Sequence, residues 1–251
     1  MTDDLRVAFE AADDAAVLAL KYFDAGVTPR AKPDDTPVTD ADHAVERLLR
    51  ARLSDACPAD GVLGEEFGAA GDASRVWILD PIDGTGYFAR RDPNWRVQIA
   101  LEIDEATVLA VVVSPALGTC WWATAGGGAF ESAWPRVEGR TTRLAVRRNR
   151  SMDSAVVDGI DDDSRLRFPE SARRAEGSAL PLIELVRGEI DAFLAERFHK
   201  WDHAPWILIV EESGGKFTDR RGGHAADQGG GLYSTGDLHT KLLRHLCYPV
   251  L

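Results

Sequence analysis

The chain has only three cysteines among 251 residues, Cys57, Cys120 and Cys247. They are far apart, odd in number and without ligand spacing, so neither a disulfide framework nor a zinc site is expected. Reduced, buried thiols are the expectation. No run approaches the roughly 18 apolar residues of a membrane span, and no basic start with an apolar stretch resembles a secretory leader. A cytoplasmic location without membrane association follows by default. Basic residues are also short of the acids, 29 against 41, for a formal net charge of −12. That balance disfavours general binding to nucleic-acid phosphates, and it leaves carboxylates to spare for holding cations. The chain has no internal repeat, no low-complexity tract and no linker long enough to separate independent domains.

What is present can fill a full core: 45% of the residues are hydrophobic and 28% charged. Leu5, Phe9, Ala12, Ala16, Ala19 and Phe23 recur at helical spacing and predict an amphipathic helix ending near Gly26. The stretch TPRAKPDDTPVTD, with three prolines, predicts an extended loop that Asp40 closes by opening a second helix. Short strands are expected in GVLGE and RVWILD, each ending in an acid. An antiparallel meander should follow from VQIALEI, TVLAVVVS, TCWWAT and AGGGAF. After about residue 140 helices and strands interleave, which divides the chain into an α+β part over 1–140 and an α/β part over 141–251. The acidic run DGIDDDS lacks the glycine and closing glutamate of a calcium loop and reads as a solvated turn. VRRNR reads as an exposed strand end, with an anionic partner or the other subunit as the alternative, and Trp121 and Trp122 as strand packing.

Four acidic stretches share a placement at the ends of elements: Asp40, the pair Glu65 and Glu66 in LGEEFG, Asp80 and Asp83 in ILDPIDGT, and Asp202 in KWDHAPW. Element ends are where a scaffold can converge side chains on one point. Three or four convergent carboxylates suit hard cations such as Mg²⁺ that share a substrate's phosphate oxygens. Pro81 stiffens the turn so that Asp80, the Ile82 carbonyl and Asp83 can share an aim. Gly84 and Thr85, opening a helix, could then offer amides to an anion. Each stretch alone has a plainer reading: Asp40 and Asp202 as helix caps, DPIDGT as a turn, paired glutamates as a solvated surface. Their co-occurrence in this order favours the metal and phosphate reading.

The blocks LGEEFG, WILDPIDGTGYF and WDHAPWILIVEESGG resemble the inositol monophosphatase-like superfamily of Mg²⁺-dependent, lithium-sensitive phosphatases, over nearly the whole chain. KPDDTPVTDADHAVERLLR with PADGVLGEEFG is most similar to the bacterial histidinol-phosphate phosphatases of that fold. The resemblance implies an α+β fold of alternating helix and sheet layers, an αβαβα sandwich, and a homodimer. It implies that Glu65, Asp80, the Ile82 carbonyl, Asp83 and Asp202 hold two or three Mg²⁺ ions, and that Gly84 and Thr85 bind phosphate. It further implies that Thr85, oriented by Asp40, works with Glu65 to position and deprotonate the attacking water.

Histidinol phosphate is the leading substrate expected, with inositol monophosphate or an aminocyclitol or sugar phosphate as alternatives. Two departures bear on that choice. Gly86 stands where relatives carry Lys or Thr, and Ala195 stands where several relatives carry a substrate-binding glutamate, with Glu196 beside it. Arg174, Glu176 and Ser178 match the substrate-side loop. Lys32 is read either as an approach to the metal and phosphate region or as a solvated loop residue; His199 and His203, which flank Asp202, as packing or surface groups, with support of that ligand or contact with substrate as the alternative. A non-catalytic metabolite-binding protein would be expected to have lost part of the acidic set, which is complete here.

Overall fold

The computed structural model describes residues 3–71, 74–137, 140–148, 150–175 and 179–248. The chain forms two compact units, one of Met1–Ala125 with Phe130–Thr142, the other of Gly126–Ala129 with Arg143–Leu251. In the first unit, helix α1 (Asp3–Ala25) presents Ala8, Ala11, Ala12, Ala15, Ala16 and Ala19, all essentially without exposure. So small a face brings its backbone close to its neighbours, helix α2 among them. The presumed loop contains a two-stranded antiparallel hairpin, β1 (Arg30–Ala31) with β2 (Pro37–Val38). Asp34 closes it by accepting from the Thr36 amide and hydroxyl at 3.1 and 2.7 Å, a turn mode open to short acidic side chains.

Helix α2 (Asp40–Ala56) leads to β3 (Gly61–Gly64), β4 (Gly68–Ala70), β5 (Arg75–Asp83) and the short helix α3 (Thr85–Ala89). Strands β6 (Arg96–Ile103), β7 (Ala106–Ser114), β8 (Thr119–Thr124), β9 (Gly128–Ala133) and β10 (Thr141–Arg143) follow. The sheet order is β10-β9-β8-β7-β6-β5-β3-β4. Of the expected meander, β6, β7 and β8 pair antiparallel in order and β9 lies beside β8, while β5 extends the series antiparallel on the other side. β3 instead joins β5 in parallel, which puts Gly64 opposite Leu79. Trp77, Leu79, Trp95, Phe88 and the α1 alanines fill the core. Trp121 is buried and donates to Glu131 at 2.7 Å, while Trp122 stacks on Phe130 with centroids 5.6 Å apart; both serve packing.

The second unit holds β11 (Val156–Gly159), α4 (Asp162–Leu166), β12 (Arg173–Arg174), α5 (Pro181–Arg187), β13 (Ala192–Glu196), α6 (Lys200–Glu212), β14 (Gly215–Asp219), β15 (Gly230–Thr235) and α7 (Gly236–His245). Its sheet runs β12-β11-β13-β15-β14, parallel on the β12–β11–β13 side and antiparallel on the other. The run read as a solvated turn opens a helix instead. Asp161 caps α4 by accepting from the Ser164 amide at 2.8 Å, and buried Asp158 takes the Arg165 guanidinium at 2.6 Å. Among the described residues of VRRNR there is no strand either: Arg150 donates to both oxygens of buried Asp191 at 3.1 and 3.2 Å. Among the described residues no helix is long and apolar enough to cross a membrane.

One buried group gives this unit a pH-dependent stability. His239 is 3% exposed, and its two ring nitrogens lie 2.7 Å from the Ser234 hydroxyl and 2.8 Å from the Thr218 hydroxyl. Burial, and then the charge of Lys216, pushes it from 6.5 down to about 4. Between those values the unfolded chain carries a proton that the folded one refuses, so stability is complete above about 6.5 and falls as pH drops toward 4. The slope reaches about 1.4 kcal/mol per pH unit for one group. Urea unfolding at pH 7.5 and 5 should show His239→Gln losing markedly less stability on acidification than the wild type; equal losses would contradict the assignment.

Candidate active site

In the first unit the acids gather around the end of β5. Asp80 pairs with Gln98 and Asp83 with Arg96, so three steps on β5 match two on β6 and one residue bulges. Pro81 lies in that bulge, where its missing amide costs no ladder bond. Regular alternation would send residues three apart to opposite faces. The bulge cancels that, and carboxylate oxygens of Asp80 and Asp83 lie within 4.8 Å of each other. The strand therefore continues through the second acid instead of ending at the first. Asp80 is 1% exposed and its Oδ2 lies 3.5 Å from Gln98 Nε2; Asp83 takes an ion pair from Arg96.

Glu65 is brought to the same strand end by the parallel register, its amide donating to the Leu79 carbonyl at 3.2 Å. Its loop is clamped from below by fully buried Glu46, which accepts from the Glu66 and Phe67 amides at 2.7 and 3.2 Å and from Arg50 Nε at 2.8 Å. Gly64 leaves room for that carboxylate: a Cβ there would fall 2.1 Å from Glu46 Oε1. Lys32, carried by the β1–β2 hairpin, donates to Glu65 and Glu66 at 2.7 Å each. Burial pushes Glu65 up to about 7, while the Lys32 ammonium pulls it back. For Lys32 itself burial works against the charge, yet its two carboxylate partners prevail and hold it above the ordinary range.

Helix α3 is preceded by its N-cap Gly84, which sits in the left-handed region with φ 86°, a conformation suited to glycine. Its carbonyl accepts from the Tyr87 and Phe88 amides at 2.8 and 3.0 Å. Thr85 is the first residue of the helix, and its hydroxyl lies 3.1 Å from Asp42 Oδ1 and 3.0 Å from the Ile82 carbonyl.

That contact corrects the expectation for Asp40. The cap of α2 is Thr39, whose Oγ1 accepts from the Ala41 amide at 3.1 Å. Asp40, one residue inside, is exposed and paired with Arg30 at 2.6 Å. Asp42 lies on the other side of the helix and is fully buried; it accepts from the Thr39 amide and hydroxyl at 2.8 and 2.6 Å and reaches Thr85. Burial raises its carboxyl above the usual range against the pull of those hydrogen bonds.

The remaining site expectations fall as follows. At Gly86 a Cβ would stand 3.4 Å from Arg90 Nη1, and that guanidinium lies 5.3 Å from the Tyr87 ring centre. In the second unit Ala195 is a fully buried strand residue. Glu196 is engaged by Arg167, with the Ser164 hydroxyl at 3.5 Å. Arg174 spends its guanidinium on the Phe168, Pro169 and Ala172 carbonyls at 2.6 to 2.8 Å. Glu176 and Ser178 lie outside the described residues. Asp202 is in the first turn of α6, where its Oδ2 accepts from the His199 amide at 2.6 Å. The next residue, His203, is buried, which holds its ring neutral by pushing it down to about 3, with the charge of His199 adding to the effect.

The first unit's donors are all oxygens, three of them carboxylates from Glu65, Asp80 and Asp83, the last two with oxygens within 4.8 Å of each other. Hard divalent cations favour such a donor set, so the residues present fit Mg²⁺.

Comparison with known proteins agrees with this chemistry. The model of the Inositol monophosphatase family matches residues 1–248. The histidinol-phosphatase of Streptomyces coelicolor is 38% identical over 97% of each chain. A glucose-1-phosphate thymidylyltransferase of Streptomyces griseus is likewise 38% identical over 91% of each. Among solved structures, the IMPase of Thermotoga maritima superposes with a TM-score of 0.83 at 27% identity, covering 98% of this chain and 97% of the other. The Thermotoga structure shares the layered α+β fold, and the relatives differ in the activity their names carry.

Proposed function

Because the chain belongs to the inositol monophosphatase family and is a phosphatase of small phosphorylated metabolites, we propose that it hydrolyses histidinol phosphate with Mg²⁺, with inositol monophosphate as the second substrate to test. The observation that carries the reading is the Thr85 hydroxyl, held by Asp42 at 3.1 Å beside the Asp80–Asp83 pair. Glu65, Asp80, the Ile82 carbonyl, Asp83 and Asp202 would hold the ions. When bound, such ions neutralise phosphoryl charge and activate the nucleophile.

The chain's own residues do the rest. A threonine hydroxyl has one proton and two lone pairs. By donating to Asp42, Thr85 turns its lone pairs toward a water that must lose a proton. Asp42, made more basic by burial, accepts the positive end of that relay. Glu65, pushed up toward 7, offers the alternative acceptor for that single proton. Gly84 and Thr85 would offer amides to the phosphate oxygens. The homodimer and lithium sensitivity implied by the resemblance belong to the same reading.

Phosphate release with Mg²⁺ should be measured across histidinol phosphate, inositol phosphates, sugar phosphates and adenosine bisphosphates. The highest kcat/KM is expected for histidinol phosphate. A higher value for an inositol phosphate would overturn that choice, and no release from any ester would overturn the phosphatase reading.

A further inference from the structure

His203 follows Asp202 on α6 and is fully buried in the second unit. Its Nδ1 lies 2.6 Å from the Tyr233 hydroxyl. Among the described residues its Nε2 has no hydrogen-bond partner; the ring is packed against Phe198, Phe217 and Tyr233, with centroids at 5.0, 5.4 and 5.7 Å. An unpartnered nitrogen in such surroundings costs stability that a leucine of similar size would not, so filling space does not account for a histidine here.

The local helix supplies an account. Pro205 has no amide to give the Trp201 carbonyl, so the first turn of α6 lacks a rung beside Asp202. That turn rests on the Asp202 and His203 amides reaching the His199 carbonyl at 3.1 and 3.2 Å, and on the His199 amide reaching Asp202 Oδ2. Tyr233 is a fixed point, because β15 is paired on both sides there, with Phe193 of β13 and Phe217 of β14.

We propose that the His203–Tyr233 hydrogen bond ties the weakened first turn of α6 to the sheet and so sets the direction of the Asp202 carboxylate. The two are positioning residues for a cation ligand, and the inference rests on Asp202 being one. Outer partners of ligands commonly change metal affinity by 10- to 100-fold.

The test is Mn²⁺ binding to the full chain, followed by the electron paramagnetic resonance of the free ion. Asp202→Asn identifies the Mn²⁺ site that depends on this carboxylate. Tyr233→Phe removes only the hydroxyl and should weaken that site about tenfold. The double variant His203→Leu with Tyr233→Phe removes both polar partners, so its unfolding free energy should return close to the wild-type value, while the Mn²⁺ affinity stays about tenfold down. Wild-type Mn²⁺ affinity in the folded double variant would overturn the proposal, and so would a double variant that fails to fold, since the pair would then be structural. Unchanged Mn²⁺ binding in Asp202→Asn would instead remove the ligand reading beneath it.

Discussion

Asp42→Asn should lower kcat about 100-fold while changing KM far less, and Asp40→Asn should leave both within about twofold. The contrast follows from where two acids in one helical turn point. Asp42 Oδ2 is filled by the Thr39 amide and hydroxyl, and its Oδ1 holds Thr85. Asparagine can keep one acceptor toward Thr39, but it then turns an NH₂ toward the Thr85 hydroxyl. Thr85 would have to accept there and give its proton to the Ile82 carbonyl, 3.0 Å away, leaving no carboxylate to take a proton through it. Asp40 is exposed and pairs with Arg30, and an exposed pair of that kind contributes little. Steady-state kinetics on the best ester of the panel decides the matter. An Asp40→Asn enzyme as crippled as Asp42→Asn would restore the assignment drawn from the sequence.

The larger loss is expected for Asp83→Asn, about 1000-fold in kcat/KM, by removing a ligand charge at constant volume. The effect on folding is expected to be small. Asp83 is a strand residue whose ladder partner, Arg96, is set by the backbone register, and the lost ion pair is partly exposed, at 13% and 20% of the two side chains. Circular dichroism and urea unfolding should therefore stay near the wild type while turnover collapses and Mn²⁺ binding weakens. Turnover within tenfold of the wild type would contradict a ligand role for this carboxylate.

Local chemistry made part of this site readable from the residue order. A strand of four apolar or aromatic positions leading to Asp-Pro-Ile-Asp-Gly-Thr announces both the acids and the helix start, because strand alternation and glycine's conformational freedom act over a few residues. The choice between Asp40 and Asp42 was not readable that way. It depends on whether the cap is Thr39 or Asp40, a shift that turns the following side chains around the helix axis. The ion pairs of Lys32 with Glu65 and Glu66, and of Arg96 with Asp83, join residues 13 to 34 positions apart. No periodicity encodes such partners. The parallel pairing of β3 with β5 was hidden for the same reason, although it is what sets Glu65 beside Asp80. The β1–β2 hairpin leaves no mark in the residue order, because two-residue strands carry no alternation.

The single-residue bulge in β5 makes the spacing of Asp80 and Asp83 a matter of counting as well as of chemistry. Substituting valine for Ile82 changes the side chain and keeps the carbonyl that Thr85 reaches. Inserting one residue between the acids restores even separation on a strand already carrying an extra residue, which returns the two carboxylates to opposite faces. Deleting one can leave both acids on one face but removes a carbonyl from between them. Over evolutionary time this segment should therefore tolerate exchanges of side chain far more readily than changes of length.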